Sequence, residues 1–169
     1  WAFWSATKTS PLPHATPLLY GVSTAVVPPP AYWPPSVHVC GFWVDLLEAE
    51  LADSRKMIYV GFGSMSATMV DAAPGIFAGV AKMAAEELRC NLILHACGCK
   101  ALADAWRQVI DSKDMWPHGR VQIQLGDIFL QHQFAACAAA IHHGGAGTCA
   151  TALRAATPSL IIPRLFDQF

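Results

Sequence analysis

The stretch Ala138–Pro163, AAAIHHGGAGTCATALRAATPSLIIP, carries the clearest fold signal in the chain. An apolar run ends in two histidines, and a glycine-rich segment then leads into TCATALRAA, a helix candidate that must stop before Pro158. A second apolar run, SLIIP, follows directly. This order predicts a strand, a tight turn, a helix and a strand, which together form one βαβ unit of a parallel sheet.

The same order of strand and helix occurs upstream. The strand candidates are MIYVGF (57–62), NLILHA (91–96) and RVQIQL (120–125), and the helix candidates are 72–88 and 101–110. In the first helix Phe77, Ala81, Ala84 and Leu88 fall on one stripe, and Asp71 is the predicted N-cap. Hydrophobic residues make up 54% of the chain and charged residues 14%. We therefore predict an α/β fold, a parallel sheet with helices on both faces.

The start of the chain has a different composition. Proline is concentrated there, and VVPPPAYWPP (26–35) cannot be a helix or a central strand, so it predicts an extended connector. SVHVCGFWVD (36–45) is a strand candidate, and 45–56 is a polar, partly helical spacer. The chain starts at Trp1 and stops directly after Asp167, Gln168 and Phe169, so we expect it to be a piece of a longer protein.

Composition argues against several function classes. A net charge of -1 gives no indication of a nucleic-acid partner. No apolar run approaches the roughly 18 residues that would predict a membrane span, and no secretory signal is visible. The six cysteines form no CxxC pair, so we predict reduced thiols in a cytoplasmic protein rather than a zinc site or a disulfide framework.

The turn His143-Gly144-Gly145-Ala146-Gly147-Thr148 suits a phosphate. Glycines let the backbone approach a ligand, and a helix N-terminus offers N–H groups that lack intrahelical partners. The alternative is a glycine-eased turn with Thr148 as a helix cap, and the spacing alone leaves both open. The motif is neither GxxxxGK[ST] nor GxGxxG. A metal site is not expected, because adjacent strand residues such as His142 and His143 point to opposite faces.

Two further segments follow predicted strands and should lie at the same edge of the sheet. Gly63-Ser64 offers a hydroxyl and backbone N–H groups for a phosphate or a sugar, although an ordinary turn is an equal alternative. Asp167-Gln168 offers a carboxylate beside an amide, a pair that can hold neighbouring sugar hydroxyls. Together the three segments indicate a site for a sugar attached to phosphate.

At this point the residues resemble a known family. HHGGAGT, ALRAATPSLIIP and the terminal Asp-Gln, together with IYVGFGSMS and LYGVSTAVVPPPAYWPPSVHVCGFW upstream, are similar to the UDP-sugar glycosyltransferases, above all to the sterol 3-beta-glucosyltransferases. The similarity extends in the right order over most of the chain. It implies a GT-B fold of two Rossmann-like domains, of which residues 1–36 are the end of the acceptor domain and the linker, and residues 37–169 are the UDP-sugar donor domain, truncated at its C-terminus.

The resemblance also assigns roles. Residues that match the family's diphosphate cradle are Ser64, His143, Gly144, Gly145, Gly147 and Thr148, and Asp167 and Gln168 match the pair that holds the sugar. The implied reaction is inverting transfer, most simply of glucose, from a UDP-sugar to a sterol or other lipid-like hydroxyl, without a metal or other cofactor. A sterol acceptor would require access to a membrane, and peripheral membrane contact would fit it.

The resemblance leaves one alternative open and has local exceptions. The family's catalytic base belongs to the N-terminal domain, so no catalytic residue is expected here and the isolated chain is expected to be inactive. A nucleotide-sugar-binding module without turnover is the alternative. Where the family has Pro-His-x-Trp-Leu-Phe this chain has FLQHQF, in which His132 stands two residues too close to Cys137. Phe166 and Phe169 replace the glycine and proline that flank the family's Asp-Gln pair.

Overall fold

The computed structural model describes residues 17–43, 57–84, 90–112, 121–165 and 168. The chain forms two compact units, Trp1–Asp45 and Leu46–Phe169. In the first unit, β1 (Leu18–Tyr20) and β2 (Val37–Val39) form a parallel pair, and the prolines between them lie in turns and irregular backbone. The predicted strand 36–45 is therefore three residues long within its described part. The domain assignment made from the resemblance stays a prediction.

The second unit is built on a sheet of five parallel strands in the order β5-β4-β3-β6-β7. The strands are β3 (Met57–Gly61), β4 (Asn91–His95), β5 (Val121–Gln124), β6 (Cys137–His142) and β7 (Ser159–Ile161). The helices are α1 (Ala73–Lys82), α2 (Lys100–Ser112), α3 (Leu130–Ala135) and α4 (Ala146–Arg154), and a 3-10 helix spans Gly63–Met69. All five predicted strands of this unit and its three predicted helices are present, so the predicted α/β fold is confirmed.

The sheet is covered on both faces because alternate strand residues point to opposite sides. Ile58 and Val60 of β3 pack into one apolar cluster with α1 and α2, where Trp106 is buried. Tyr59 of the same strand points the other way, into a second cluster with Phe134 of α3 and with α4. Each face therefore carries helices, as the sequence predicts, and α3 is a helix beyond the predicted three.

The prediction for helix α1 is correct in its buried stripe and wrong in its N-cap. Phe77, Ala81 and Ala84 are buried in the first cluster, as their stripe predicts, whereas Leu88 lies outside the described residues. Asp71 is not the N-cap: the helix begins at Ala73 with Ala72 before it and without a side-chain cap. A proline in the first turn lacks the N–H that such a cap would satisfy, which reduces the need for one. The predicted spacer 45–56 lies wholly outside the described residues.

No helix within the described part of the chain is long and apolar enough to span a membrane. Across the same residues there is no cluster of three or more His, Cys, Asp or Glu side chains that could hold a metal ion.

Candidate functional site

The strand order places a topological switch point between β3 and β6, where an open parallel sheet leaves a crevice. These two strands are neighbours, but the chain continues from β3 to helices on one face and from β6 to a helix on the other face. In open parallel sheets, ligands bind outside the carboxyl ends of the strands at such a switch point. Ser64 lies at the start of the 3-10 helix that follows β3, and the turn His143–Gly145 follows β6. The structure therefore brings two of the three predicted segments together at the edge where ligands bind.

The N-terminus of helix α4 presents backbone N–H donors to this crevice. Gly145 is its N-cap, in an extended conformation and without a side-chain cap hydrogen bond, so Thr148 does not cap the helix. The N–H of Cys149 donates to the carbonyl of Gly145 at 2.9 Å. The N–H groups of Ala146, Gly147 and Thr148 precede that bond and have no intrahelical acceptor. Together with the positive end of the helix dipole, they form a place suited to an anion.

His143 lies between the two loops. A Cβ built on Gly63 would stand 2.9 Å from Cε1 of its imidazole, and a Cβ built on Gly145 would collide with Nε2. Gly63 also has a φ of +52°, in the left-handed region that favours glycine. The two glycines therefore admit the ring between the end of β3 and the start of α4, and Ser64 follows Gly63 at an exposed position.

His142 turns away from the crevice into the core. Its ring is fully buried and stacks on Phe134, with the centroids 6.5 Å apart. Its Nδ1 accepts the N–H of Gly144 at 3.1 Å. Burial and the neighbouring His143 lower the pKa of His142 to about 4, so the ring is neutral at neutral pH. The two adjacent histidines thus lie in different surroundings, His142 in the core and His143 at the crevice, as the alternation of side chains along a strand predicts.

The loop after β7 brings Gln168 to the same turn. The Cβ of Gln168 is 3.6 Å from the position that a Cβ on Gly144 would occupy. Oε1 of Gln168 accepts the N–H groups of Arg164 at 2.8 Å and Leu165 at 3.1 Å, so the amide NH₂ is the part that can donate to a ligand. Asp167 lies outside the described residues. The structure therefore places one of the two predicted sugar-binding residues beside the predicted diphosphate turn.

The sequence does not predict two contacts at this edge of the sheet, one made by Arg164 and one by Gly63. The guanidinium of Arg164 donates to the carbonyl of Thr68 at 3.4 Å, linking the loop after β7 with the 3-10 helix after β3. Gly63, which precedes the predicted Ser64, lies close against the ring of His143. A glycine directly after a buried strand is the sequence signal that could have identified Gly63, whereas Arg164 follows a proline and has no such signal.

A buried hydrogen-bond chain fixes the loop after β5. His95 Nε2 lies 3.0 Å from the carbonyl of Gly126, which can only accept, so Nε2 carries the ring proton. Nδ1 is then the acceptor for the hydroxyl of Tyr59 at 2.9 Å. Gly61 must lack a side chain here, because a Cβ would collide with that hydroxyl. Burial lowers the pKa of His95 and raises that of Tyr59, which keeps both groups neutral.

A parallel α/β sheet with an open helix N-terminus at its switch point is typical of domains that bind phosphorylated ligands.

No protein-family model matches the chain. Curated sterol 3-beta-glucosyltransferases are similar to it: that of Leptosphaeria maculans is 31% identical over 90% of the chain, and that of Candida albicans is 30% identical over 90%. That of Aspergillus clavatus is 30% identical over 93% of the chain.

Two solved glycosyltransferases also show similarity to the structure. SnogD from Streptomyces nogalater is 29% identical with a TM-score of 0.46 and covers 72% of this chain, which spans 29% of SnogD. VinC in complex with dTDP is 25% identical with a TM-score of 0.44 and covers 72% of this chain, which spans 28% of VinC. Because both TM-scores are below 0.5, the assignment rests on the sequence similarity.

The chain belongs to the glycosyltransferase family that contains the fungal sterol 3-beta-glucosyltransferases. It spans 11–12% of the length of the three curated relatives named above.

Proposed function

We propose that the protein transfers a sugar, glucose, from a UDP-sugar to the hydroxyl of a sterol or other lipid-like acceptor, with inversion. This chain supplies the donor-binding half of the site. The observation that carries the proposal is the position of His143, held between Gly63 and Gly145 where the uncapped start of α4 meets the end of β3. An imidazole and several N–H groups that converge on one crevice suit the diphosphate of a nucleotide sugar.

The chemistry follows from what these donors do to a leaving group. The acceptor oxygen attacks the anomeric carbon, and the bond between that carbon and the diphosphate oxygen breaks, so both bonding electrons pass to the diphosphate. Fixed donors stabilise the charge that develops there, and they need no reorganisation during the reaction. The N–H groups at the start of α4, the hydroxyl of Thr148 and the ring of His143 are suited to this task. The acceptor proton goes to a base outside this chain.

The sugar itself is assigned to the loop after β7. Gln168 lies beside Gly144, and its NH₂ group faces away from the backbone donors that occupy Oε1. Gln168 would donate to one sugar hydroxyl, and Asp167 would accept from its neighbour.

The acceptor assignment draws on the relatives. Their names give a sterol 3-beta-hydroxyl as the group that they glycosylate. We propose that the protein is cytoplasmic. Because a sterol acceptor lies in a membrane, we also propose that the protein contacts the membrane surface peripherally.

A transfer assay tests the proposal with the full-length protein. UDP-glucose labelled in the sugar is incubated with sterol-containing vesicles, and the lipid fraction is analysed by mass spectrometry and proton NMR. We expect a sterol glucoside with a β-linkage, since inversion of an α-linked donor gives that configuration. A folded protein that binds UDP but yields no glucoside with any sterol would instead favour the nucleotide-sugar-binding module.

A further inference from the structure

His142 occupies a place where an apolar side chain would be expected. Its ring is completely buried and stacks on Phe134, on the core side of β6. Within the described residues, Nε2 of this ring is buried and has no hydrogen-bond partner. Leucine would fill a similar volume without burying a polar nitrogen, which is unfavourable when unpaired. The remaining polar atom, Nδ1, is therefore the part of the ring that explains a histidine here.

Nδ1 is bound to the turn that precedes α4. It accepts the N–H of Gly144 at 3.1 Å, and the main-chain carbonyl of His142 accepts the N–H of Ile162 at 2.8 Å. The end of β6 is thus connected on one side to the turn and on the other to the loop after β7. Because Nδ1 must accept, the ring proton lies on Nε2, and the lowered pKa of His142 is consistent with this neutral form.

The conformation that this bond stabilises is one that the chain would not adopt freely. Gly144 has a φ of +88°, and a Cβ there would stand 2.8 Å from Cγ2 of Ile161. The residues on either side of Gly144 are His143 and Gly145, which form the crevice with Gly63. The orientation of the Gly144 N–H therefore determines the direction of the backbone as it enters α4.

We propose that His142 is a positioning residue for the donor diphosphate: its neutral Nδ1 holds the N–H of Gly144 and so presets the turn between β6 and α4. The inference rests on the proposed function, because it names the group that prepares that site before the ligand arrives. His142 itself touches neither donor nor acceptor. Its contribution to affinity is the ordering of the turn, which a ligand would otherwise have to impose on binding.

Two substitutions separate this role from packing. His142→Asn keeps an acceptor at the position of Nδ1 and loses the ring on Phe134, whereas His142→Leu keeps apolar bulk and loses the acceptor. Titration calorimetry with UDP should show affinity about tenfold weaker in His142→Leu and within about twofold of the wild type in His142→Asn, although the asparagine variant loses more stability to urea. Equal UDP affinity in the leucine variant, or a loss in the asparagine variant as large as in leucine, would overturn the role.

A second measurement is independent of UDP and of the folding of variants. Nitrogen-15 NMR of the wild-type protein should show the His142 ring protonated at Nε2 and unprotonated at Nδ1, and the amide of Gly144 should exchange slowly with deuterium. Protonation at Nδ1, or rapid exchange of the Gly144 amide, would contradict the inference. If the wild type shows these NMR signatures but does not bind UDP, the donor assignment fails and the turn-setting hydrogen bond stands.

Discussion

The imidazole of His143 lies against Gly63, so that Cε1 is 2.9 Å from where a Cβ on that glycine would be. The two residues follow neighbouring strands, β3 and β6, whose chains diverge to opposite faces of the sheet. This contact joins the two loops into one site. Gly63 is therefore the position at which a single added methyl group should affect both the stability and the ligand site.

Gly63→Ala should lower the free energy of unfolding by about 1–2 kcal/mol, because alanine disfavours a positive φ and its methyl group presses on His143. UDP affinity should fall as well, since the ring is displaced. Gly79→Ala is the matched control: nothing lies within 4 Å of a Cβ there, and the residue is inside α1. That control should raise the unfolding free energy by about 0.5–1 kcal/mol in urea titrations and leave UDP affinity unchanged. Similar stability changes in both variants would refute the contact.

Thr148→Val tests the hydroxyl at the start of α4. The two side chains have nearly the same shape, so a lost hydrogen bond to phosphate should weaken UDP binding by about tenfold or more with little effect on stability. Thr151→Val is the control on the same helix, because its hydroxyl donates to the carbonyl of Gly147 at 2.8 Å. Calorimetry should show wild-type affinity for that control. If Thr148→Val also binds UDP like the wild type, this hydroxyl has no role in the cradle.

The buried pair Tyr59 and His95 predicts a stability effect without a ligand. Tyr59→Phe leaves Nδ1 of His95 without its donor in the core, which should cost about 1–3 kcal/mol in urea unfolding. Tyr32→Phe serves as the control, because Tyr32 is 82% exposed and its hydroxyl meets water. A loss of equal size in the two variants would show that the hydrogen bond to His95 contributes nothing measurable.

The pH dependence of stability follows from His142. Its pKa in the folded protein is about 4, below the value near 6.5 expected for an unfolded chain. As the pH falls from about 6.5 to 4, the unfolded chain takes up a proton that the folded protein excludes, so stability present above pH 6.5 is progressively lost. The slope for this one group is at most about 1.4 kcal/mol per pH unit.

Urea titrations at pH 7 and pH 5 measure this dependence. His142→Leu lacks the titrating ring and should lose less stability between the two pH values than the wild type. His95 also has a lowered pKa and contributes in the same direction in both proteins, so a residual slope is expected in the variant. Parallel pH profiles for the wild type and His142→Leu would contradict the assigned shift.

The sequence predicts the strands and long helices of the second unit well, since each is an apolar or periodic run bounded by Gly, Pro or a polar residue. It does not reveal α3 or the 3-10 helix after β3, because six or seven residues make too few helical turns for periodicity to show, and it does not reveal the three-residue strand β1. Asp71 looks like a cap in the sequence, but the proline in the first turn of α1 changes where the helix begins.

The convergence of the site segments could be predicted only in part. The carboxyl ends of parallel strands share one edge, so Ser64, His143 and Gln168 are expected there from the strand pattern alone. The contact of His143 with Gly63 depends on β6 lying next to β3 in the sheet, and that strand order is not visible in the sequence. The hydrogen bond between Tyr59 and His95 joins residues 36 positions apart, and it likewise depends on β3 and β4 being neighbours in the sheet.

Titration calorimetry of the purified wild-type protein with UDP tests the donor site most directly. Circular dichroism and a cooperative urea transition first establish that the sample is folded. The cradle formed by His143, the glycine turn and the start of α4 predicts saturable binding of UDP at one site, much weaker binding of uridine, and weaker binding of UDP after His143→Ala. A folded sample that does not bind UDP, or that binds uridine equally well, would contradict the assignment of this crevice to a nucleotide-sugar diphosphate.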